Sequence, residues 1–311
     1  MQENWERQVL NDLLKDGLKE QRRKRRWGIF FKLLGFAYLI VVTTMLVGGF
    51  KSGELESVST GPHTAIVNMD GVISANGEAN VQVILDGLDR AFDDKNTRGV
   101  ILAVNSPGGS PVEAGQLNDG MLRLKKKHPK VPLYVVVGDI CASGCYYAAV
   151  AADKIYADKA SIVGSIGVLM DGFGFTGAME KLGVERRLLT AGKNKGFLDP
   201  FSPVSDEQKA KAQDMLTEIH QQFIDVVKAG RGKRLGNDPD LFTGLVWSGA
   251  KSVQMGLIDG LGSVDSVARD VIKADDIVDF TPQPGYLDRF ARRVGVTAAA
   301  HLGSQLRMSL Q

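Results

Sequence analysis

The chain has 311 residues, of which 44% are hydrophobic and 24% are charged, and it contains two cysteines. This composition is that of a folded protein with room for a substantial core, and two cysteines are too few for a scaffold held by disulfides. The net charge of +2 does not indicate a nucleic-acid partner, because the densest basic run lies beside an apolar segment near the N-terminus.

The N-terminal region predicts a membrane anchor. Residues 1–26 form a polar, helix-prone arm that ends in the basic run 22–26, and residues 27–50 are apolar except for Lys32 and a few small polar residues. About 20 apolar residues span a bilayer as a helix, and flanking basic residues favour the cytoplasmic side. We therefore expect a single-pass protein of the inner (cell) membrane, with a cytoplasmic arm and with everything after Lys51 on the periplasmic or extracytoplasmic side. A cleaved signal peptide is the alternative, but no cleavage site stands out.

Beyond a linker at 51–63, strand and helix patterns alternate over 64–275. Strands are predicted at 64–73, 98–105, 131–137, 154–157 and 183–190, and helices at 81–93, 111–127, 143–152 and 205–235. Repeated strand–helix–strand units with apolar strands predict an α/β domain with a largely parallel sheet. In the last helix Ser205 is the expected N-cap, and Glu207 lies near the capping-box position. Residues 276–311 are interpreted as a tail with a helical extension.

A glycine-rich loop, residues 105–110 (NSPGGS), follows a predicted buried strand and precedes a predicted helix. Paired glycines let the backbone turn sharply and leave its N–H groups uncovered. Such groups stabilise a developing negative charge, so the loop suits an oxyanion hole. The alternative is a tight turn that binds nothing.

A second motif, residues 141–147 (CASGCYY), also follows a predicted strand and opens a helix. Its serine, Ser143, is flanked by small residues that would leave room for a substrate carbonyl. A serine that only caps the helix is the alternative. Cys141 and Cys145 are expected to be small packing residues.

A nucleophilic serine needs a base. None of the four histidines lies in a glycine-rich or small-residue loop, but a Ser-His-Asp triad stays open because it is defined by geometry. A desolvated lysine can also serve as a base. The segment 191–200 (AGKNKGFLDP) places lysines near apolar residues, although solvated surface cations are the alternative. Ser165, in the segment 163–168 (VGSIGV), could orient a lysine amine or could be a turn residue.

The order of these motifs resembles the S49 family of signal peptide peptidases, the SppA type, over about residues 60–275. The resemblance implies a ClpP/crotonase-like fold of repeated ββα units. It implies acyl transfer by a Ser-Lys dyad, with no metal or other cofactor.

The resemblance also assigns roles to five residues. Ser143 is the nucleophile and Lys195 is the general base, while Ser165 helps to hold the lysine. The oxyanion hole uses the backbone N–H groups of Gly109 and Gly144.

A single domain copy with one N-terminal span is similar to the short form of the family. This implies a membrane-anchored serine endopeptidase that degrades remnant signal peptides or other small membrane-side peptides. It also implies a homo-oligomeric ring, for example an octamer, with active sites at subunit interfaces. The alternatives are a crotonase-like acyl-CoA enzyme and a non-catalytic membrane scaffold.

One residue departs from the family pattern, because Cys145 stands where the family often has glycine. The thiol could narrow the S1 region. An oxidising compartment would allow Cys141 and Cys145 to pair, but we expect such a bond to distort the nucleophile turn.

Overall fold

The computed structural model describes residues 2–51 and 61–282, which fall into two units. The first unit is one continuous helix, α1 (Gln2–Lys51), which includes the stretch Lys19–Thr43, long and apolar enough to cross a membrane. On this stretch Trp27 exposes 52% of its surface. A long apolar helix with exposed aromatic side chains is consistent with a membrane anchor. The expected N-terminal apolar helix is therefore present.

The second unit is built around an eight-stranded sheet. Its strands are β1 (His63–Asp70), β2 (Thr97–Ser106), β3 (Leu133–Ala142), β4 (Lys154–Ala157), β5 (Ile162–Gly164), β6 (Val246–Ser248), β7 (Gly260–Leu261) and β8 (Ile277–Asp279). The strand order is β6-β5-β3-β2-β1-β8, and β4 pairs with both β3 and β7. Among the described strand pairs only β5–β6 is antiparallel. The predicted α/β class with a largely parallel sheet is confirmed.

Helices cover both faces of this sheet. The helices of this unit are α2 (Val81–Asp93), α3 (Pro111–Lys127), α4 (Gly144–Ala149), α5 (Thr176–Lys181), α6 (Asp206–Arg231), α7 (Gly249–Gln254) and α8 (Val264–Ser266), with a 3-10 turn at Gly232–Arg234 and a π-helical segment at Val267–Ile272. The main core lies under α2, α3 and α4 and includes the fully buried Leu88 of α2. On the opposite face, Ile101 and Val136 of the sheet pack against Val267 and Ala268.

Local capping signals determine where three of the helices begin. The α2 and α3 helices have their predicted bounds, and the side chains of Asn80 and Ser110 cap them. The α6 helix has Ser205 as its N-cap, as expected. Its capping-box partner is Gln208 rather than the predicted Glu207, because the third residue after the cap is the one that reaches back to the cap N–H.

The strand predicted at 183–190 does not form. These residues are exposed, and Leu189 exposes 96% of its surface. A β-rich sequence becomes a strand only where a neighbouring strand completes its hydrogen bonds and a packed face covers it. Within the described residues, no strand pairs with this segment.

Several element boundaries also differ from the predicted ones. The β3 strand continues to Ala142, and α4 ends at Ala149 instead of 152. The β8 strand pairs with β1, so the sheet extends beyond the boundary expected at 275. Most of the expected linker at 51–63 and of the expected tail at 276–311 lies outside the described residues.

Candidate active site

Ser143 lies on a sharp turn between β3 and α4. Its φ of 54° and ψ of −124° are unusual for a residue with a side chain. The Ser143 N–H donates to Gly164 O at 2.9 Å, which ties the turn to the end of β5. Although Ser143 occupies the N-cap position of α4, its side chain makes no capping hydrogen bond. The helix-cap alternative is therefore wrong, and the hydroxyl is not used by the helix.

The glycine-rich loop packs directly against this turn. A Cβ built on Gly108 would lie 2.7 Å from Gly144 N and 2.8 Å from the Cβ of Ser143. A Cβ built on Gly144 would lie 3.2 Å from Gly109 N. Glycine is required at residue 108, where any side chain would separate the two loops, and residue 144 leaves room for a side chain only if its neighbours shift by a few tenths of an ångström.

Neighbouring backbone holds the loop in place. Ile73 N donates to Gly108 O at 2.9 Å, and Ser110 N donates to Ile73 O at 2.9 Å. The buried Ser106 Oγ accepts from Gly108 N at 3.2 Å. In the described part of the chain the N–H groups of Gly109 and Gly144 have no acceptor. Two unmatched N–H donors therefore adjoin Ser143, as an oxyanion site requires.

A cavity of about 160 Å³ opens beside Ser143. Its walls include Val168, Ile219 and Phe223, and the ring of Tyr147 lies 5.1 Å from that of Phe223. These walls suit a small or medium apolar side chain. A larger cavity, of about 710 Å³, lies around the ends of β1 to β3 and is lined by none of the predicted site residues.

The structure places Ser165 close to the turn at Ser143, because β5 pairs with the end of β3. Ser165 has a φ of 53°, and its N–H donates to Leu245 O at 2.7 Å. The half-buried His220 of α6 donates from Nε2 to Ile166 O at 3.0 Å. This contact, which the sequence did not indicate, fixes the residue after Ser165.

The structure does not bring Lys195 to Ser143 within one chain. Lys195 is exposed and does not line the cavity at Ser143. Its ammonium has no ion pair or hydrogen bond to any described residue, whereas Lys193 Nζ lies 3.2 Å from Glu207 Oε1.

No histidine of the described residues lines the cavity at Ser143 either. This covers His63, His128 and His220, while His301 lies outside the described residues. The structure therefore gives no support to a histidine base from within the described part of the chain.

Cys141 and Cys145 form a disulfide with their Cα atoms 5.2 Å apart. The expectation of two unpaired packing residues was wrong. The sequence pattern predicts a helix start at residue 143, but β3 extends to Ala142 and a sharp turn then brings the strand end against the first turn of α4. That Cα separation lies within the usual range for a disulfide. The bond coexists with the turn at Ser143 and with the adjoining N–H groups of Gly109 and Gly144.

Buried polar groups hold the side of α4 that faces the core. The Tyr146 hydroxyl donates to Leu257 O at 2.7 Å, and complete burial raises the pKa of this phenol. Nearby, Asp259 accepts from Arg231 Nη1 at 2.7 Å and from Arg234 Nη1 at 3.0 Å. Burial alone would raise the pKa of Asp259, but the hydrogen bonds and charges of the arginines together lower it. Sequence reasoning missed this network because its members are far apart along the chain.

Comparisons with known proteins identify the family. The sequence profile described as Peptidase family S49 matches residues 125–277, which include Ser143, Ser165 and Lys195. A candidate signal peptide peptidase SppA of Enterococcus faecium is 30% identical over 288 residues, which cover 83% of each chain. The chain therefore belongs to peptidase family S49, whose ClpP-like fold agrees with the observed sheet.

Two further similarities cover different spans. A protein named Na(+)/H(+) antiporter NhaA of Brucella abortus is 39% identical over 285 residues, which cover 88% of this chain but only 38% of that relative's length. A solved chain, a mutant of the 1510-N membrane-bound stomatin-specific protease, aligns over 67% of this chain and 83% of its own, with 13% identity and a TM-score of 0.42. That structural likeness is too weak to bear on function.

Proposed function

We propose that this S49 peptidase is a membrane-anchored serine endopeptidase with Ser143 as its nucleophile and Lys195 as its general base. One observation carries the proposal. At a single turn, the hydroxyl of a strained serine is not used by the helix, and two adjoining N–H groups have no acceptor among the described residues. A hydroxyl attacks a carbonyl most effectively where adjacent donors stabilise the resulting oxyanion.

In the proposed reaction, Ser143 Oγ attacks the carbonyl carbon of a peptide bond, and its proton passes to the neutral amine of Lys195. The N–H groups of Gly109 and Gly144 stabilise the carbonyl oxygen as it becomes negative. When the intermediate collapses, the C–N bond breaks and Lys195 returns the proton to the leaving amine. Lys195 then removes a proton from water as the water oxygen attacks the acyl carbon. When the ester bond breaks, Lys195 gives that proton to Ser143 Oγ, which restores the free serine and the neutral amine.

The contacts of the two lysines favour Lys195 over Lys193. A general base has to approach the serine hydroxyl as a free amine. The Nζ atom of Lys193 pairs with Glu207, while Lys195 is exposed and has no such partner among the described residues. Ser165 is proposed to accept a hydrogen bond from this amine and so orient it.

We propose that Lys195 acts on Ser143 of a neighbouring subunit. Within one chain it does not line the cavity at Ser143. The segment 167–204 also carries large apolar side chains that expose 78% to 96% of their surface: Leu169, Phe173, Leu182 and Leu189. Clustered exposed apolar residues mark interaction surfaces, and a second copy of the chain would cover them. A homo-oligomeric ring with active sites at its interfaces accounts for both observations.

The cavity beside Ser143 supports a preference for small or aliphatic residues at the cleavage site. Its volume of about 160 Å³ and its apolar walls of Val168, Ile219 and Phe223 fit such side chains. Remnant signal peptides, which are rich in such residues, and other small membrane-side peptides are the proposed substrates.

Two features support an extracytoplasmic catalytic unit on the inner membrane. The basic run 22–26 favours a cytoplasmic N-terminus. The Cys141–Cys145 disulfide fits an oxidising compartment, since cytosolic thiols are kept reduced.

Paired substitutions in the full-length detergent-solubilised protein test this function. We expect Ser143→Ala and Lys195→Ala each to lower the cleavage rate of a leucine- and alanine-rich fluorogenic peptide by at least about a thousandfold, with oligomer size unchanged. Lys193→Ala is the matched control and should keep its activity. Wild-type rates in either site variant would refute the dyad, and loss of activity in Lys193→Ala alone would move the base to Lys193.

A further inference from the structure

We propose that the Cys141–Cys145 disulfide is a positioning device for the nucleophile, so that acyl transfer is slower when the bond is reduced. This inference rests on the proposed role of Ser143. The bond joins the strand that leads into the nucleophile turn to the helix that leaves it. It therefore closes a covalent loop around Ala142, Ser143 and Gly144, which includes the nucleophile and one of the two proposed oxyanion donors.

Both ends of the loop are anchored in the core. Cys141 lies in the sheet opposite Ser106 of β2 and Val163 of β5. Cys145 is fully buried and precedes Tyr146, whose hydroxyl bonds to Leu257 O. The disulfide thus ties the first turn of α4 directly to the centre of the sheet.

The turn inside this loop needs such a restraint. Ser143 has a positive φ, which residues with side chains disfavour. Apart from the disulfide, the backbone of Ser143 is held by its bond to Gly164 O and by the bond from Tyr147 N to Ser143 O. The position of Gly144 N beside Gly109 depends on the same turn, because the two loops are in van der Waals contact.

Reduction removes this restraint. A dithiol supplies two electrons and two protons, so that the S–S bond breaks, two S–H bonds form and the dithiol closes to its own disulfide. Two thiols without a bond need more room than a disulfide, and Cys141 and Cys145 are both fully buried among close-packed side chains. The turn then relaxes, which displaces the Ser143 hydroxyl and the Gly144 N–H from their catalytic positions.

This role predicts a specific kinetic signature. The apolar cavity walls Val168, Ile219 and Phe223 lie outside the closed loop. Reduction should therefore lower kcat by about tenfold to a hundredfold while KM changes little, because only the reacting groups move. A general loss of folding would instead reduce the amount of active protein irreversibly.

The experiment compares oxidised, reduced and reoxidised wild-type protein with Cys141→Ala/Cys145→Ala. The chain has no other cysteine, so the mass gained on alkylation under denaturing conditions counts this bond alone. We expect the reduced protein and the double variant to share the low kcat, and reoxidation to restore the wild type. Reductant should not change the kcat of the double variant. This control excludes effects of the reductant that do not depend on the disulfide.

The outcomes separate this inference from the proposed function. Unchanged kcat in fully reduced wild-type protein would refute the positioning role while leaving the peptidase intact. Two alkylated thiols in active protein isolated without reductant would refute it as well. No cleavage by the oxidised wild type would overturn the proposed function, and this inference with it. If the double variant fails to fold, the reversible reduction of the wild type still decides the question.

Discussion

Mixing two inactive variants tests whether the catalytic pair is completed across a subunit boundary. Ser143→Ala keeps the proposed base and lacks the nucleophile, while Lys195→Ala keeps the nucleophile and lacks the base. Neither substitution removes a packed apolar group, since Lys195 is exposed and the Ser143 side chain does not cap α4. Both variants should therefore assemble as the wild type does.

The expected recovery follows from ring geometry. In a closed ring each site takes its serine from one subunit and its lysine from the next. In a random equal mixture about half of the subunits carry Ser143 and about half of their neighbours carry Lys195, so about a quarter of the sites are complete. The recovered rate should be about 25% of the wild-type rate, and at other ratios it should follow x(1 − x), where x is the fraction of Ser143→Ala subunits.

Co-expression of the two variants at several ratios provides the assay. The subunit ratio is measured by intact mass, and the initial rate is measured at saturating fluorogenic peptide. The matched control pairs Lys195→Ala with the Ser143→Ala/Lys195→Ala double variant, in which no subunit carries the base. Background rates in verified mixed oligomers of the two single variants would refute completion across the boundary.

Two further substitutions probe the loop and the buried support. Gly109→Ala should lower kcat about a hundredfold, because its methyl group would meet Ile73 O and displace the loop. Gly115→Ala on α3 is the control, because its methyl group would meet no atom and should leave kcat unchanged. Equal steady-state kcat values in the two variants would contradict the role of Gly109 as an oxyanion donor. Asp259→Asn should lower the free energy of unfolding by about 3 kcal/mol at neutral pH, because the buried guanidinium of Arg231 loses its carboxylate partner. The pKa of Asp259 in the folded protein is below its usual 3.8, so its ionised form contributes stability that is complete above that pH and is lost as the pH falls through the folded value. Melting temperatures measured from about pH 7 to 2 should therefore fall less steeply at acid pH in the variant than in the wild type. An equally steep fall in both proteins would exclude this contribution.

Local signals in the sequence predicted the parts of the fold that depend on neighbours along the chain. The helical patterns at 81–93 and 111–127 predict α2 and α3 with their correct bounds, and the structure shows that the side chains of Asn80 and Ser110 cap these two helices. The loop 105–110 and the motif 141–147 were likewise located by glycines and small residues between elements. The fold class followed because β1 to β3 have the continuous apolar sequences of strands buried in a parallel sheet.

Other features depend on contacts that a sequence pattern does not contain. The apolar residues of 183–190 were interpreted as a strand, but no described strand pairs with them. The Cys141–Cys145 bond depends on the positive φ of Ser143, which turns a predicted helix start into a strand-to-helix corner. Within one chain Lys195 does not line the cavity at Ser143, so its action on a neighbouring subunit stays a prediction.

Natural selection and thermodynamic stability favour different residues at the corner occupied by Ser143. Glycine would adopt its φ of 54° without a clash from Cβ, and the same holds for Ser165 with its φ of 53°. Replacing either serine by glycine would relieve about 1 kcal/mol of backbone strain. A sequence optimised only for melting temperature would therefore carry two glycines at these positions. That sequence would fold at least as well, and it would contain no hydroxyl at either corner.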